Sequence, residues 1–156
     1  RRDVGVRGGM TVSVYVSARD VRVALASARV EAIARATLAA ERVREAMLSV
    51  TFVSNAAIAR LNARHLGHRG ATDVISFGFG GSGARSPVVG DIYIAPAVAR
   101  ANAVAHGVLL REELARLVVH GTLHVLGYAH PEGDARTRSP MWRRQERLLA
   151  RALAAS

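Results

Sequence analysis

Residues 120–130 read His-Gly-Thr-Leu-His-Val-Leu-Gly-Tyr-Ala-His, and this run specifies both a helix and the way out of it. At about 100° per residue, positions four apart on a helix are offset by only about 40°, so His120 and His124 project from one face, one turn apart. Gly127 lets the chain leave the helix and fold back. The six residues after His124 then suffice to return His130 to the same point. Three neutral imidazoles suit zinc among the common metals, and a three-ligand set leaves one coordination position open for water or substrate. Two histidines at this spacing also occur as a chance polar pair on an apolar helix. Three of the chain's six histidines within one such run favour the metal site.

Working outward, apolar residues at helical spacing over 110–126 make the run part of a central helix. Upstream, 11–16 alternates and reads as a strand, 20–40 as a helix and 47–53 as a second strand. Ser54 is a good N-cap for a helix carrying Ile58, Leu61 and Asn62, with 67–70 as the loop that ends it. Residues 73–77 and 89–95 read as two further strands. Gly80-Gly81-Ser82-Gly83 between them reads as a long hairpin connection in preference to a mobile lip. Pro96 suits the first turn of a helix to about residue 105, and 140–155 forms a terminal helix. The expected fold is α+β. A four-stranded mixed sheet packs with about five helices in one domain over 10–156, the central helix carrying the histidines. Residues 1–9, rich in arginine and glycine, read as a disordered lead-in, with Met10 as a start.

Composition narrows the chemistry. The chain has 156 residues and no cysteine, so thiolate ligands and disulfides are excluded and any metal must use histidine or carboxylate. No apolar stretch reaches the length of a membrane span, and a cytoplasmic protein is expected. Net charge is +10, with all 22 basic residues arginine. Guanidinium grips phosphate in a bidentate fork, which points to RNA, although scattered arginines are often only solvated. Arg136, Arg138, Arg143, Arg144 and Arg147 cluster beside the histidine run, where they could form a basic rim. Few aromatics, among them a single tryptophan, favour recognition of the backbone over readout of sequence. Trp142 is expected to pack the terminal helix on the core. His65, His68 and His106 lack metal spacing and read as surface or loop groups, while Glu112, Glu113 and Glu146 read as helix-surface residues.

The spacing of the three histidines also matches the long zinc motif of metzincin peptidases, in which glutamate follows the first histidine as general base. Here that residue is Gly121, so the peptidase reading loses its key group while the metal site survives. Four stretches instead resemble the YbeY family: Leu61-Asn62, Thr72-Asp73-Val74-Ile75-Ser76-Phe77, Gly90-Asp91-Ile92 and residues 120–130. Met141 and Glu146 also fit, and the match runs in order from about 11 to 153. The resemblance implies a single-strand-specific endoribonuclease of ribosomal RNA maturation, with one Zn2+ held by His120, His124 and His130. It further implies single-stranded or ribosomal RNA, and the small ribosomal subunit or its proteins, as partners. The strand that starts at Asp73 is implied to border the substrate groove, which makes Thr72, Asp73 and Ser76 expected RNA contacts.

Two departures from the family pattern bear on catalysis. Where the family has Tyr-Arg-Gly after Leu-Asn, this chain has His65-Leu66-Gly67, so the implied RNA-handling arginine is absent. Arg64 and Arg69 are the neighbours that could replace it, as catalytic or RNA-binding groups. The family's aspartate before the third histidine is Ala129 here, with Glu132 and Asp134 as substitutes downstream. Losing such a supporting carboxylate typically costs about 10- to 100-fold in affinity or activity. These departures sustain a second reading, a ribosome-assembly factor that binds RNA or a ribosomal protein and uses zinc only structurally.

Overall fold

β-branched and alternating sequence builds the sheet, and one long apolar helix crosses it. The computed structural model describes residues 11–80 and 86–155. Four strands, β1 (Thr11–Ala18), β2 (Glu45–Phe52), β3 (Val74–Gly78) and β4 (Val88–Ile94), lie in the order β1-β2-β4-β3. β1 and β2 run parallel, as do β2 and β4, while β3 is antiparallel to β4. The sheet is thus mixed, as expected. Five α-helices accompany it among the described residues: α1 (Ser27–Ala40), α2 (Asn55–Leu61), α3 (Pro96–His106), α4 (Leu110–Val125) and α5 (Pro140–Ala154).

α1 and α4 cover one face of the sheet, and α5 packs against both helices. Val14, Leu48, Val50, Ile92 and Ile94 alternate onto that face and meet Ile33, Leu38, Leu114, Val118, Met141 and Leu149 in the main core. The opposite face, at β3 and β4, packs Ile75 with Ile58 of α2, and Tyr93 and Phe77 lie against this smaller cluster. Where α4 meets β4 the elements approach closely. A Cβ at Gly121 would come 2.7 Å from Ile92 Cγ2 and 3.1 Å from Ser76 Oγ, and one at Gly90 would collide with the side chain of Val125. Two glycines on facing elements thus let the helix settle onto the sheet.

Three differences from the sequence reading have local causes. α1 begins at Ser27, not near residue 20. Val21, Val23 and Leu25 pack on the core at two-residue spacing, which is the period of an extended segment. A π-helical turn, Asn62–Leu66, extends α2, and a 3₁₀ helix, Gly133–Arg138, precedes α5. Their short lengths leave no periodic signature. Antiparallel pairing on both sides makes the connection from β3 to β4 a hairpin; Gly81, Ser82 and Gly83 lie outside the described residues, as do residues 1–10. No helix of the described residues is long and apolar enough to cross a membrane.

Candidate metal centre

α4 carries His120 and His124 on one face, and the chain turns back after it through Gly127, whose φ of +100° suits glycine. The turn brings His130 to the pair. One ligand nitrogen from each histidine lies within 4.8 Å of the other two. The ring centroids are 4.5 to 5.1 Å apart.

The hydrogen bonds fix how the rings point. Nδ1 of His120 meets Gln145 Oε1 at 2.6 Å, Nδ1 of His124 meets the Tyr128 carbonyl at 2.8 Å, and Nδ1 of His130 meets the Pro131 carbonyl at 2.9 Å. All three partners are oxygen acceptors, so each ring carries its proton on Nδ1. Each therefore offers the Nε2 lone pair, the tautomer a metal-ligating histidine needs. Burial lowers the pKa of His120 from 6.5 to about 3, opposed by its bond to Gln145 and assisted by His124 and Arg136. Burial also lowers that of His124, against its bond to Tyr128. Both rings are held neutral and ready to ligate. Three nitrogen donors fit a borderline-soft divalent ion better than magnesium or calcium, which take oxygen.

A second set of bonds holds the returning loop. Tyr128 donates from its hydroxyl to Glu41 Oε2 at 2.9 Å, and Arg144 Nε donates to Glu41 Oε1 at 2.7 Å. The residue whose carbonyl orients His124 is thus tied to the end of α1 and to α5. Arg144, expected as an RNA contact, is engaged in this ion pair.

The histidines open into a cavity of about 550 Å³. Thr72, Asp73, Ser76 and Arg136 line it, together with Leu66 and Glu132. Arg64, Arg69, Arg138 and Arg143 are exposed and do not line it. Asp134 is also absent from its walls. Asp73 is already engaged, accepting from Val74 N at 2.8 Å and from Asn102 Nδ2 at 3.2 Å. Asn62 holds the rim from below by donating to the Gly70 carbonyl at 3.0 Å. Among the described residues, three buried side-chain atoms lack a hydrogen-bond partner: Ser76 Oγ, Arg136 Nε and Gln145 Nε2. Each such group costs about 1–3 kcal/mol. Ser76 and Arg136 belong to the cavity wall, and Gln145 holds His120 through its amide oxygen.

Sequence reasoning missed several of these residues. Gln145 and Tyr128 act on histidines from 25 and 4 positions away, and no local pattern marks a ring acceptor. His68 and His106 are exposed, as read from the sequence, and lie at the edges of the histidine cavity and of an adjoining one. Glu113, read as a surface residue, is buried with its carboxylate 2.8 Å from Arg116. Trp142 is half-buried beneath the Arg136 guanidinium, whose carbon lies 5.8 Å from the ring centroid. Gly121 faces the sheet, so no glutamate could stand there without moving α4 off Ile92.

The sequence profile described as Endoribonuclease YbeY matches residues 14–153. The Endoribonuclease YbeY of Frankia alni is 40% identical over 133 residues, spanning 78% of this chain and 72% of that protein. The protein of the same description from Geobacillus kaustophilus is 39% identical over 115 residues, 68% of this chain and 72% of its own. A solution structure of a Thermotoga maritima protein superposes with a TM-score of 0.61 over 91% of this chain and 90% of the other. At 23% identity that likeness speaks to the fold alone.

Proposed function

Because this chain belongs to the YbeY endoribonuclease family, we propose that it is a zinc-dependent endoribonuclease that cuts single-stranded RNA in ribosomal RNA maturation. Its substrate would be RNA of the small ribosomal subunit, in processing and ribosome quality control, within the cytoplasm. The observation that carries the reading is the convergence of His120, His124 and His130, each with Nδ1 engaged by an oxygen, on a cavity lined by Arg136 and Thr72.

When bound, the ion supplies Lewis acidity beside the phosphodiester. The chain's own groups do the rest. Arg136, braced on Trp142 and lining the cavity, presents its guanidinium to a non-bridging phosphoryl oxygen and balances charge as it develops. It takes the part expected of Arg64 or Arg69, neither of which lines the cavity. Thr72, on the cavity wall, holds the substrate through its hydroxyl. Glu132 is the lining carboxylate that Asn102 does not engage, and it takes the proton of the attacking hydroxyl, whether water or the RNA 2′-hydroxyl. Arg138 and Arg143, both exposed, track the backbone at longer range.

The second reading is an assembly factor with a structural zinc, and Leu66 favours it. It lies on the cavity wall, 50% exposed, where the family pattern implies an arginine. Cleavage of single-stranded and structured RNA, with and without chelator, separates the two. Chelator-sensitive cutting of the single strand supports the nuclease; a zinc-loaded protein that binds RNA and cuts none supports the assembly factor.

A further inference from the structure

Beside the histidine cavity, and sharing Thr72, Asp73, His120 and Arg136 with it, lies a second cavity of about 670 Å³. The mechanism above gives it no task. Its walls combine an aromatic ring, apolar side chains and a polar floor: Trp142, then Val98, Val108 and Leu117, then Gln145 and Glu113. Such a mixture, at a few hundred cubic ångströms, is what planar organic ligands occupy.

Its polar groups define the occupant. Gln145 is 1% exposed, and its Nε2 has no partner while Oε1 holds His120. Gln145 thus lines the cavity with its amide oxygen already committed to the metal-site histidine. Three carboxylates, Asp73, Glu113 and Glu146, also line it, which disfavours an anion and favours a neutral group bearing N–H donors. Arg116 holds two of them, at 2.8 Å for Glu113 and 2.9 Å for Glu146, and so keeps the floor rigid. A neutral ring with both N–H donors and acceptors describes a nucleobase. Trp142 and Arg136, both on the cavity wall, are the residue types on which unpaired bases stack.

We infer that this second cavity takes the base of the nucleotide next to the scissile phosphate, with Arg136 as the partition between the phosphate and base compartments. The inference rests on the nuclease reading above and deepens it. A base seated there cannot be paired, so the cavity selects unpaired RNA at the point of cutting without reading a long sequence.

Trp142 is the chain's one tryptophan, so its fluorescence reports the cavity directly. The zinc-loaded full chain is titrated with AMP, GMP, CMP, UMP and, separately, ribose 5-phosphate. Saturable quenching by at least one nucleotide, with none by ribose 5-phosphate, is expected. Val98→Phe and Val108→Phe, which fill the cavity from two walls, should each weaken that binding at least tenfold. In parallel, a single-stranded oligonucleotide carrying one abasic site at successive positions should lose about 10- to 100-fold in kcat/KM at one position flanking the cut, as expected for one lost stack. Quenching by ribose 5-phosphate as strong as by nucleotides, no quenching at all, or unchanged binding in both folded variants overturns the inference. So does a flat abasic scan from a protein that cuts well, which leaves the nuclease reading intact. Nucleotide quenching that both variants weaken, in a protein that cuts no RNA, upholds the cavity and sinks the nuclease reading instead.

Discussion

Replacing Arg136 by alanine should separate catalysis from stability in a direction that few active-site substitutions share. The guanidinium lies 5.8 Å from the Trp142 centroid, a contact worth about 0.5–1 kcal/mol where partly exposed. Against this stands its Nε, buried without a partner at a cost of about 1–3 kcal/mol. The two roughly cancel or favour removal, so the metal-free variant should be as stable as the parent or slightly more so. Activity should move the other way. Removing one preorganised charge stabiliser typically costs about 100- to 1,000-fold in kcat, or about 2.7–4 kcal/mol. Arg136→Lys should fall between, since an ammonium retains charge and loses the fork. The assay is kcat/KM on a single-stranded oligonucleotide, with zinc content and denaturation midpoints measured on the same preparations. A loss below about threefold, or a loss of zinc in step with activity, would refute the role given to Arg136.

Other outcomes follow from the same geometry. Leu66→Arg places a guanidinium on the cavity wall and should raise the cleavage rate by up to about 100-fold, with Ala129→Asp adding less; a parent as fast as the double variant shows these groups to be dispensable. Gln145→Leu leaves the His120 Nδ1 proton without an acceptor and should weaken zinc binding by about 10- to 100-fold, whereas Gln145→Glu retains it; competition with a chelator of known affinity reads both. The metal-free protein should lose stability as pH falls from 6.5 toward 3. His120 has its folded pKa lowered to about 3, so the unfolded chain binds the proton first and stability is complete only above 6.5. Urea midpoints that stay level from pH 7.5 to 5 in the parent, beside a His120→Leu control, would contradict this.

Much of this was legible in the sequence because periodicity and spacing are local. Residues 110–126 anticipate α4 to within one residue, and the i, i+4 pair with Gly127 anticipates the three-histidine cluster. The alternation at 21–25 was legible too, yet a helical reading of the whole stretch passed over it. What could not be read is everything that crosses between elements. Nothing in the order of residues says that Gln145 meets His120, that Arg144 is engaged by Glu41, or that Arg136 alone of the arginine cluster reaches the histidines. Basic residues look alike along a chain; the fold decides which are free.

The bonds that hold the returning loop set an order of events in time. Glu41 lies 87 residues before Tyr128 and 103 before Arg144, and Gln145 lies 25 beyond His120. α5 leaves the ribosome after α4 and the returning loop, so a nascent chain displays all three histidines while His120 still lacks the partner that aims its nitrogen. High-affinity capture of the ion therefore waits until α5 has emerged and docked. Loading becomes a step of the folded domain, governed by the free metal of its surroundings and not by whatever ion meets the chain as it emerges.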